Sequence, residues 1–508
     1  MKMLKKLAAI LFCLALLLAP LAVRAETGTQ ARDITKECVL TLSGEPIEPR
    51  LIDGDENTYG EFPPGAIGIF SREPIGGVYI RFDRAPGEWI MNTGTASHAC
   101  GGDGFLHEYQ RVDETTGEVI LRFPGTFSIS ELTVLSKGEK LPDLVQLWRP
   151  AEGPADIMIM PCRTGDEHLF FAGAVADAVD RGAEVQVCLF TEHPDSHSRL
   201  HEFLNGLYAC GLDRYPVVGP MPDVWFAPEE ADALAIFEQA GYGYDDIVAY
   251  ETELLRRFKP QIVLAHDAAG EDGCTAAAAL SHAIRDAVDA SPNAARYPGS
   301  ASQYGVWDPI KVYLHLWPEN AIKFRIDEPL PSFGGRTAFE LSQQAYRMHQ
   351  SQLSGKYAAW ILGTEASPVS SSAGFPAEYS PVNFGLWYDR TGGDRVKTDF
   401  YGHIVFYADG GPLDPSGLSP APEPTEAPEP TAAPAESAEP PETDGPTESA
   451  APTEAAETPD GTEKPAAKPG RTMSPVLVVL ILAALLAAAG VGIHFVIKAN
   501  LDSAYDRI

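Results

Sequence analysis

Strand-like and helix-like segments alternate between residues 155 and 412, and this alternation constrains the fold more than any other feature. Four short apolar runs have the length and composition of buried strands: DIMIM, EVQVCLF, QIVLAH and KVYLHLW. Helix-length segments separate them, including EHLFFAGAVADAVDRG, predicted as one amphipathic helix closed by Gly182, and DDIVAYETELLRRFKP, which ends before Pro260. Repeated alternation predicts an α/β, Rossmann-like fold with a mostly parallel sheet and helices on both faces.

Residues 27–150 have a different pattern. Short runs of strand character follow one another: CVLTL, IGIF, GVYIRF, GEVILRF and SISELTVL. Gly, Pro, Asp and Asn separate these runs at close intervals, and no helix-length periodic segment occurs among them. The sequence therefore predicts an N-terminal all-β sandwich in front of the α/β domain at 155–412.

Both ends of the chain carry apolar segments. Lysines precede an apolar run near the N-terminus, and small residues at 23 and 25 predict a signal peptide at 1–25, although a permanent N-terminal anchor has a similar pattern. Residues 475–497 are long enough to cross a bilayer, since about 20 apolar residues suffice. With Lys498 in a short tail at 498–508, we expect one transmembrane helix, an extracellular body and a cytoplasmic tail, while a buried core helix is the alternative.

Residues 419–470 consist mainly of Pro, Ala, Glu and Thr in loose repeats. Because few side chains there exceed Ala in apolar size, the stretch cannot bury enough surface to offset its chain entropy. We predict a disordered stalk that holds the body away from the cell membrane. Many acidic groups behind the formal net charge of −33 lie here, and no basic patch occurs, so a nucleic-acid partner is not expected.

Seven cysteines occur, and Cys13 lies within the predicted signal peptide. The six others are Cys38, Cys100, Cys162, Cys188, Cys210 and Cys274. An even number in an exported chain permits up to three disulfides, but the sequence does not give their pairing. Cys188 and Cys210 are expected in the core, either as free thiols or as a pair.

Polar side chains follow three predicted strands, where ligands of parallel sheets usually bind. The groups are Asp166 and Glu167; His193, His197, His201 and Glu202; and His266, Asp267, Glu271 and Cys274. Such donors at strand ends suit a zinc hydrolase, which needs three protein ligands and one open position for water. Solvated loop side chains would give the same pattern, so spacing alone does not decide between these interpretations.

Several segments of 155–412 resemble the PIG-L/LmbE family of zinc-dependent de-N-acetylases. They include DEHLFFAG, LNGLYACG, YPVVGPMPD, RRFKPQIVLAHDAAGEDG, YGVWDPIKVYLHLW and FGGRTAFELSQQAYRMHQSQ. Residues 27–150, through LIDGDENTYGEF and GGVYIRFDRAPGEWI, resemble discoidin-like (galactose-binding-like) jelly rolls. These resemblances imply a deacetylase-like fold and a module that either binds glycans or braces its neighbour.

The family's chemistry resides in two motifs, and this chain departs from both. The first is A-H-P-D-D-E, in which the resemblance places the ligand His on Arg163, the general-base Asp on Gly165 and the second metal-binding Asp on Asp166, with Glu167 following. The second is G-H-x-x-H. Its first His, which supports the oxyanion, falls on Cys274, and its second His, a zinc ligand, falls on Ala277.

Only one of three family zinc ligands therefore survives, and no base remains at position 165. A single carboxylate does not hold zinc at useful affinity, and the permanent charge of Arg163 repels a dication. We therefore expect no bound cofactor and no confident catalytic residue. We also predict that Cys162 and Cys274 lie close together as a disulfide or as two buried thiols; a rebuilt site from Cys162, Asp166, Cys274 and a loop His is a further alternative.

Two functions are consistent with these residues. The first is a membrane-anchored, extracellular PIG-L-like protein that has lost its zinc site and serves as a glycan-binding or scaffolding module. The second is an active de-N-acetylase of an N-acetylglucosamine-containing glycan, which would use zinc. Candidate pocket residues are Arg163, Asp166, Glu167, Arg199, Glu202, His266 and Asp267, with a structural Arg199–Glu202 ion pair as the alternative interpretation.

Overall fold

The computed structural model describes residues 29–193, 196–224, 227–393 and 396–412. The predicted signal peptide, stalk, transmembrane segment and cytoplasmic tail lie outside these ranges. Among the helices that these ranges contain, none combines the length and the hydropathy that a membrane span requires.

Two antiparallel sheets form the N-terminal part, as the sequence predicts. Their strands are β1 (Val39–Leu42), β2 (Glu45–Pro46), β3 (Gly60–Phe62), β4 (Gly65–Phe70), β5 (Ile75–Phe82), β6 (Trp89–Asn92), β7 (Ser97–Cys100), β8 (His107–Arg111), β9 (Glu118–Phe123) and β10 (Phe127–Ser136). The strand orders are β2-β1-β4-β9-β6-β7 and β3-β10-β5-β8. Apolar side chains from both sheets share one core, which makes this part a β-sandwich.

A second, mostly parallel sheet follows. Its strands are β11 (Ile157–Ile159), β12 (Val185–Glu192), β13 (Val217–Pro222), β14 (Ile262–Ala265), β15 (Lys311–His315), β16 (Ala321–Lys323) and β19 (Asn383–Asp389). Their order is β13-β12-β11-β14-β15-β19-β16, with parallel pairs up to β15 and antiparallel pairs after it. A small hairpin of β17 (Gly363–Thr364) and β18 (Ser367–Pro368) lies apart from this sheet.

The α-helices of the described ranges lie along the chain between β11 and β19. They are α1 (Asp166–Leu169), α2 (Ala174–Asp180), α3 (His197–Ala209), α4 (Glu230–Gln239), α5 (Tyr244–Phe258), α6 (Thr275–Ala290), α7 (Pro298–Tyr304), α8 (Ala338–Tyr346) and α9 (Lys356–Leu362). Both faces of the sheet are buried, because Ile157 and Ile159 join one apolar cluster while Met158 and Met160 join another. This alternation within β11 is the expected pattern for a sheet covered on both sides.

One predicted helix is interrupted. The segment EHLFFAGAVADAVDRG forms α1 and α2 rather than one amphipathic helix, with a break before Gly173. Gly173 has a φ of +81°, and its N–H donates a hydrogen bond to the hydroxyl of Ser342 at 2.7 Å. Its neighbour Ile326 leaves no room for a Cβ at this position. The prediction of one continuous helix was wrong because α8 and the segment around Ile326 pack against this turn.

Side chains of α3 join the sandwich to the α/β sheet. His201 of α3 places Nδ1 2.8 Å from Nε2 of His107 on β8, and Asn205 donates a hydrogen bond to Glu56 at 3.0 Å. Tyr215 accepts a hydrogen bond from the backbone N–H of Leu106 at 3.0 Å. The sequence grouped His201 with pocket donors, but this side chain faces the sandwich. Its ring is buried in the junction between the sandwich and the parallel sheet.

Candidate functional site

Loops that follow β11, β12 and β14 meet at one edge of the parallel sheet, as the sequence predicts. The backbone N–H of Cys162, after β11, donates a hydrogen bond to Nε2 of His266, after β14, at 2.8 Å. The hydroxyl of Thr191, near the end of β12, donates to the carbonyl oxygen of Cys162 at 2.8 Å. The convergence follows from the parallel pairing of these strands, which brings their carboxyl ends to the same edge.

Residues 162–167 make a tight turn into α1. The N–H of Arg163 donates to Oδ2 of Asp166 at 2.9 Å, and the N–H of Gly165 donates to Oε2 of Glu167 at 2.8 Å. Gly165 has a φ of +102°, and a Cβ there would lie 2.9 Å from Oε1 of Gln352. The backbone at this position therefore suits glycine, and an aspartate in the family's general-base position would be strained.

Arg163 and Asp166 are both buried beside this turn. Burial alone would lower the pKa of Arg163, but the Asp166 carboxylate opposes this effect and the pKa is raised. Burial raises the pKa of Asp166, while Arg163 and His266 act in the opposite direction. A cation that keeps its proton thus stands where the resemblance places a neutral imidazole, and it repels a divalent metal.

Ala277 lies in the first turn of α6 and is 1% exposed. Its methyl group joins an apolar cluster that also contains Met160, Phe190 and Leu280. A methyl group offers no lone pair to a metal. The resemblance places the other zinc-binding histidine at Arg163, so these two positions offer no ligand to zinc, which requires three from the protein.

The thiols of Cys162 and Cys274 contact each other in the same region. A hydrogen bond between them, together with burial, raises the pKa of Cys162 well above its ordinary value. The same bond lowers the pKa of Cys274 to about 6; burial opposes this effect, and the guanidinium of Arg163 reinforces it. Both are unbonded thiols in the structure, so the predicted partners are neighbours and the disulfide itself stays a prediction.

Cys188 and Cys210 do not form the pair that the sequence allowed. Cys188 belongs to the apolar cluster on one face of the parallel sheet, and Cys210 belongs to the cluster on the other face. Both thiols are free and buried, and burial raises the pKa of each to about 12. They are core residues.

Three buried ionisable side chains, His266, Glu271 and His315, are linked to one another and to the loop that carries Cys162. Since Nε2 of His266 accepts from Cys162, its hydrogen lies on Nδ1, which is 3.1 Å from Oε1 of Glu271. His315 contacts both carboxylate oxygens of Glu271 through Nδ1 at 2.9 Å, and its Nε2 donates to the carbonyl of Ser380 at 3.1 Å. Burial would raise the pKa of Glu271, but the two histidines lower it below its ordinary value.

This arrangement gives His266 a positioning role, because its one free lone pair holds the Cys162 backbone. His315 was missed by sequence reasoning, although its place at the end of a predicted strand, KVYLHLW, was a usable signal. Its link to Glu271 depends on the parallel pairing of β14 and β15. The sequence also did not indicate that Glu271 joins two imidazoles.

A second cluster lies beside α1. Donor atoms of Glu167, His168 and His349 all lie within 4.8 Å of one another, and the three side chains are buried. Oε1 of Glu167 is 3.0 Å from Nε2 of His349 and 3.4 Å from Nε2 of His168. Burial lowers the pKa of both histidines to about 4. Both imidazoles are therefore neutral at physiological pH.

The hydrogen bonds around Gln352 decide how this cluster is protonated. The amide nitrogen of Gln352 donates to the carbonyl oxygen of Thr164 at 2.9 Å, which fixes the orientation of the amide. The same nitrogen lies 3.2 Å from Nδ1 of His349, so Nδ1 accepts and the hydrogen lies on Nε2, facing Glu167. A metal bound at Nε2 would need the opposite tautomer. Among the described residues, however, Nε2 of His349, Nε2 of His168 and Oε1 of Glu167 face one another without forming a hydrogen bond.

The remaining predicted pocket residues have local partners. Both carboxylate oxygens of Glu202 accept from Ser351, from its N–H at 2.7 Å and its hydroxyl at 2.6 Å. Asp267 is half-buried and accepts from the N–H of Ala269 at 3.2 Å, which stabilises a turn. Arg199 is buried on α3. These contacts indicate that Glu202 and Asp267 hold loops around the site.

An open cleft of about 840 Å³ lies between the sandwich and the α/β sheet. Arg84 and Leu106 of the sandwich line one side, and Glu192, His193 and Tyr215 line the other. Nδ1 of His193 lies 3.4 Å from a carboxylate oxygen of Asp223. Because Glu192 and His193 end β12, the cleft reaches the carboxyl end of the parallel sheet.

No protein-family model and no curated protein matches the chain. Among solved structures, it is similar to the N,N'-diacetylchitobiose deacetylase of Pyrococcus horikoshii, at 14% identity and a TM-score of 0.29, over 41% of this chain and 76% of that one. It is similar to a conserved protein of Thermus thermophilus, at 17% identity and a TM-score of 0.28, over 40% and 83% of the two chains.

A CBM32 module produced by Clostridium perfringens is similar at 14% identity and a TM-score of 0.18, over 20% of this chain and 97% of that module. Structures of both kinds that the sequence resembles, deacetylases and a discoidin-like carbohydrate-binding module, are thus among those that match. At these identities and TM-scores, the similarity carries no argument about activity, ligand or site residues.

Proposed function

We propose that this chain is an extracellular protein, anchored in the cell membrane by residues 475–497, whose PIG-L-like domain has lost its zinc site. It serves as a glycan-binding or scaffolding module. The observation that carries the loss of zinc chemistry is the buried methyl group of Ala277 at a ligand position. An alanine side chain cannot coordinate a metal in any rotamer or protonation state.

The loss of the general base supports the same proposal. Gly165 occupies the base position, and its positive φ and the nearby Gln352 amide disfavour a larger residue. Loss of a general base typically lowers a rate by about 10²–10⁴-fold. A site without the base and with two of three ligands replaced would not hydrolyse an amide at a useful rate.

The cleft between the β-sandwich and the parallel sheet is the best-supported binding site for a saccharide. Its volume of about 840 Å³ falls within the usual range of ligand sites. It combines an aromatic ring, Tyr215, with the guanidinium of Arg84 and the exposed carboxylate of Glu192. An aromatic face packs against the apolar face of a sugar ring, while charged groups hydrogen-bond its hydroxyls.

A working de-N-acetylase is the second candidate, and one observation favours it. Glu167, His168 and His349 bring one carboxylate and two neutral imidazoles within 4.8 Å, which is a donor set that zinc accepts. The tautomer set by Gln352 argues against this function, because it leaves a hydrogen on Nε2 of His349. Metal content distinguishes the two candidates directly.

The first experiment is metal analysis of the purified full-length protein after dialysis against a weak chelator, together with acetate release from chitooligosaccharides. We expect no equimolar zinc and no acetate release. Equimolar zinc that disappears in a His349→Gln variant, together with acetate release by the wild type, would overturn the loss of zinc chemistry. Arg111→Ala, at an exposed site of the sandwich, is the control for handling.

The second experiment measures binding of N-acetylated oligosaccharides by calorimetry. We expect binding by the wild type and about 10-fold weaker binding by Glu192→Gln and Arg84→Ala, since each loses a charge-assisted hydrogen bond. Arg111→Ala should bind like the wild type because Arg111 lies outside the cleft. Equal binding by all variants would exclude the cleft as the glycan site.

A further inference from the structure

The two thiols beside Arg163 differ in access. Cys162 is fully buried and belongs to an apolar cluster on one face of the parallel sheet. Cys274 is partly exposed and packs against the same cluster. A reagent in the solvent can therefore reach Cys274 but not Cys162, so the two thiols would react in a fixed order.

The backbone favours a thiolate at the accessible position. Cys274 is the N-cap residue directly before α6, which is a 16-residue helix. Unpaired N–H groups and the macrodipole at such a helix start stabilise a negative charge. The guanidinium of Arg163 acts in the same direction on Cys274. The lowered pKa of Cys274, about 6, agrees with this placement, since thiols at helix starts and near cations ionise readily.

The loops that carry the two cysteines are tied to neighbouring strands. Cys162 follows β11 and Cys274 follows β14, and these strands pair in parallel with Ile159 opposite Leu264. The Cys162 backbone is held from one side by His266 and from the other by Thr191. A bond between the two sulfurs therefore requires only side-chain adjustment, provided that the usual disulfide geometry is reached.

We propose that Cys162 and Cys274 form a redox-active dithiol, with Cys274 as the attacking thiolate, Cys162 as the resolving thiol and a small aliphatic disulfide as the oxidant. The Cys274 thiolate attacks one sulfur of the external disulfide, which forms a mixed disulfide and releases the first thiolate. Cys162 then loses its proton and attacks Sγ of Cys274, which forms the Cys162–Cys274 disulfide and releases the second thiolate.

The chain loses two electrons and two protons in this sequence, and the external disulfide becomes two thiols. Exchange through a mixed disulfide is the general route for such reactions, and the attacking thiol reacts fastest when its pKa is close to the ambient pH. The proposal does not rest on glycan binding. Carbohydrate affinity is measured separately, so either proposal can fail without the other.

Oxidised glutathione is the probe for the test. The reduced full-length protein is incubated with mixtures of oxidised and reduced glutathione, alkylated to stop exchange, digested and analysed by mass spectrometry. We expect a Cys162–Cys274 disulfide in the wild type that reduced glutathione or a small dithiol reverses without unfolding. Cys162→Ser should accumulate a glutathione adduct at Cys274, because the resolving thiol is missing.

Cys274→Ser should acquire no adduct at Cys162 while it is folded, because Cys162 is buried. Cys188→Ser, which removes a buried thiol elsewhere, should behave like the wild type. Three results would overturn the proposal: both thiols stay reduced in the wild type, the disulfide resists reduction until the chain unfolds, or Cys162→Ser gains no adduct.

A measurement on the unaltered chain covers the possibility that a variant does not fold. The alkylation rate of Cys274 is followed against pH in the reduced wild type. We expect the rate to level off near pH 7 and to exceed that of Cys188 by at least about 10-fold, as for thiols with a lowered pKa. A rate that keeps rising above pH 8, or that equals the rate of Cys188, would contradict the role of Cys274.

Discussion

His107 of the sandwich and His201 of α3 place Nε2 and Nδ1 2.8 Å apart across the junction between the two parts of the structure. Nδ1 of His107 also lies 2.8 Å from the amide oxygen of Gln146, so it carries the hydrogen and Nε2 accepts from His201. The hydroxyl of Ser130 lies 3.4 Å from Nε2 of His201. The hydrogen bond across the junction therefore requires a neutral His107, because a proton added to its Nε2 removes the acceptor for His201.

This pair predicts a loss of stability in acid. Burial and the neighbouring His201 lower the pKa of His107 to about 3, whereas an unfolded histidine has a pKa of about 6.5. Between these values the unfolded chain binds a proton that the folded chain does not, so stability falls as pH falls. One such group contributes about 1.4 kcal/mol per pH unit in that window. The free energy of unfolding, from urea titrations between pH 7 and pH 4, measures this slope.

His107→Gln should reduce the slope, and the partly exposed His282→Gln serves as the control. The full slope also contains His168 and His349, whose pKa values are lowered by burial to about 4, so the difference between variants is the relevant quantity. Equal slopes for the wild type and His107→Gln would show that His107 does not stay neutral in the folded chain.

Removal of the Glu271 carboxylate should destabilise the site. Its side chain is 1% exposed and faces His266, His315 and the N–H of Asp267. Breaking a buried charge pair typically costs about 3–5 kcal/mol, because the remaining partner stays buried and unpaired. We expect a loss of that size for Glu271→Ala and a smaller loss for Glu271→Gln, which keeps one acceptor oxygen. Chemical denaturation at pH 7 measures both.

Glu230→Gln is the matched control, since Glu230 also contacts a histidine, His282, but at a partly exposed position. Surface pairs of this kind contribute about 0.2–1 kcal/mol. A Glu271→Ala variant as stable as Glu230→Gln would mean that the linked His266, Glu271 and His315 side chains add little to the fold.

A methyl group at Gly206 should disturb the cluster beside α1. A Cβ at this position on α3 would lie 2.6 Å from Nε2 of His168 and 3.2 Å from Nε2 of His349. Overpacking of a core usually costs about 1–3 kcal/mol, which outweighs the gain of about 1 kcal/mol from replacing a helical glycine by alanine. We therefore expect Gly206→Ala to lower the melting temperature, as measured by calorimetry.

Gly299→Ala provides the comparison in another helix, because a Cβ there would meet no atom within 4 Å. Its melting temperature should stay the same or rise. If Gly206→Ala also raises the melting temperature, the space beside His168 is larger than the contacts indicate.

An aspartate introduced at position 165, to restore the family's general base, should destabilise the turn before α1. Gly165→Asp places a side chain at a φ of +102° and within 2.9 Å of the Gln352 amide. Strain of this kind costs about 1–3 kcal/mol. We expect Gly165→Asp and Gly165→Ala to destabilise the chain similarly, and Gln352→Ala to relieve part of the loss in each. Denaturation of the single and double variants measures the coupling.

The strain at Gly165 also affects the experiment in which the family's motif residues are restored to test whether activity returns. The set Arg163→His, Gly165→Asp, Cys274→His and Ala277→His restores the family motif, and activity that appears only in this set would support a degenerate native site. The strain at position 165 means that stability must be measured beside zinc content and acetate release. A folded quadruple variant that binds zinc and stays inactive would show that the family motifs alone do not restore the reaction here.

The fold class was predictable because its signals are local. Alternating strand and helix segments indicated the parallel strands, and closely spaced strand runs indicated the sandwich. Two antiparallel strands, β16 and β19, were not predicted, since each depends on a partner far along the chain. The prediction of one helix across Gly173 was wrong for a related reason, because the break is imposed by α8 and Ile326.

For the candidate site too, some features could be predicted from the sequence and others depend on the tertiary structure. The sequence by itself determined which side chains stand where the family resemblance places two zinc-binding histidines: a guanidinium at Arg163 and a methyl group at Ala277, neither of which coordinates zinc. The sequence also predicted that Cys162 and Cys274 are neighbours, since both follow strands of the parallel sheet. Only the tertiary structure decided that His201 turns to the sandwich and that Glu271 joins His266 and His315. Side-chain chemistry belongs to single residues, whereas a contact depends on the strand pairings and helix packings that bring distant segments together.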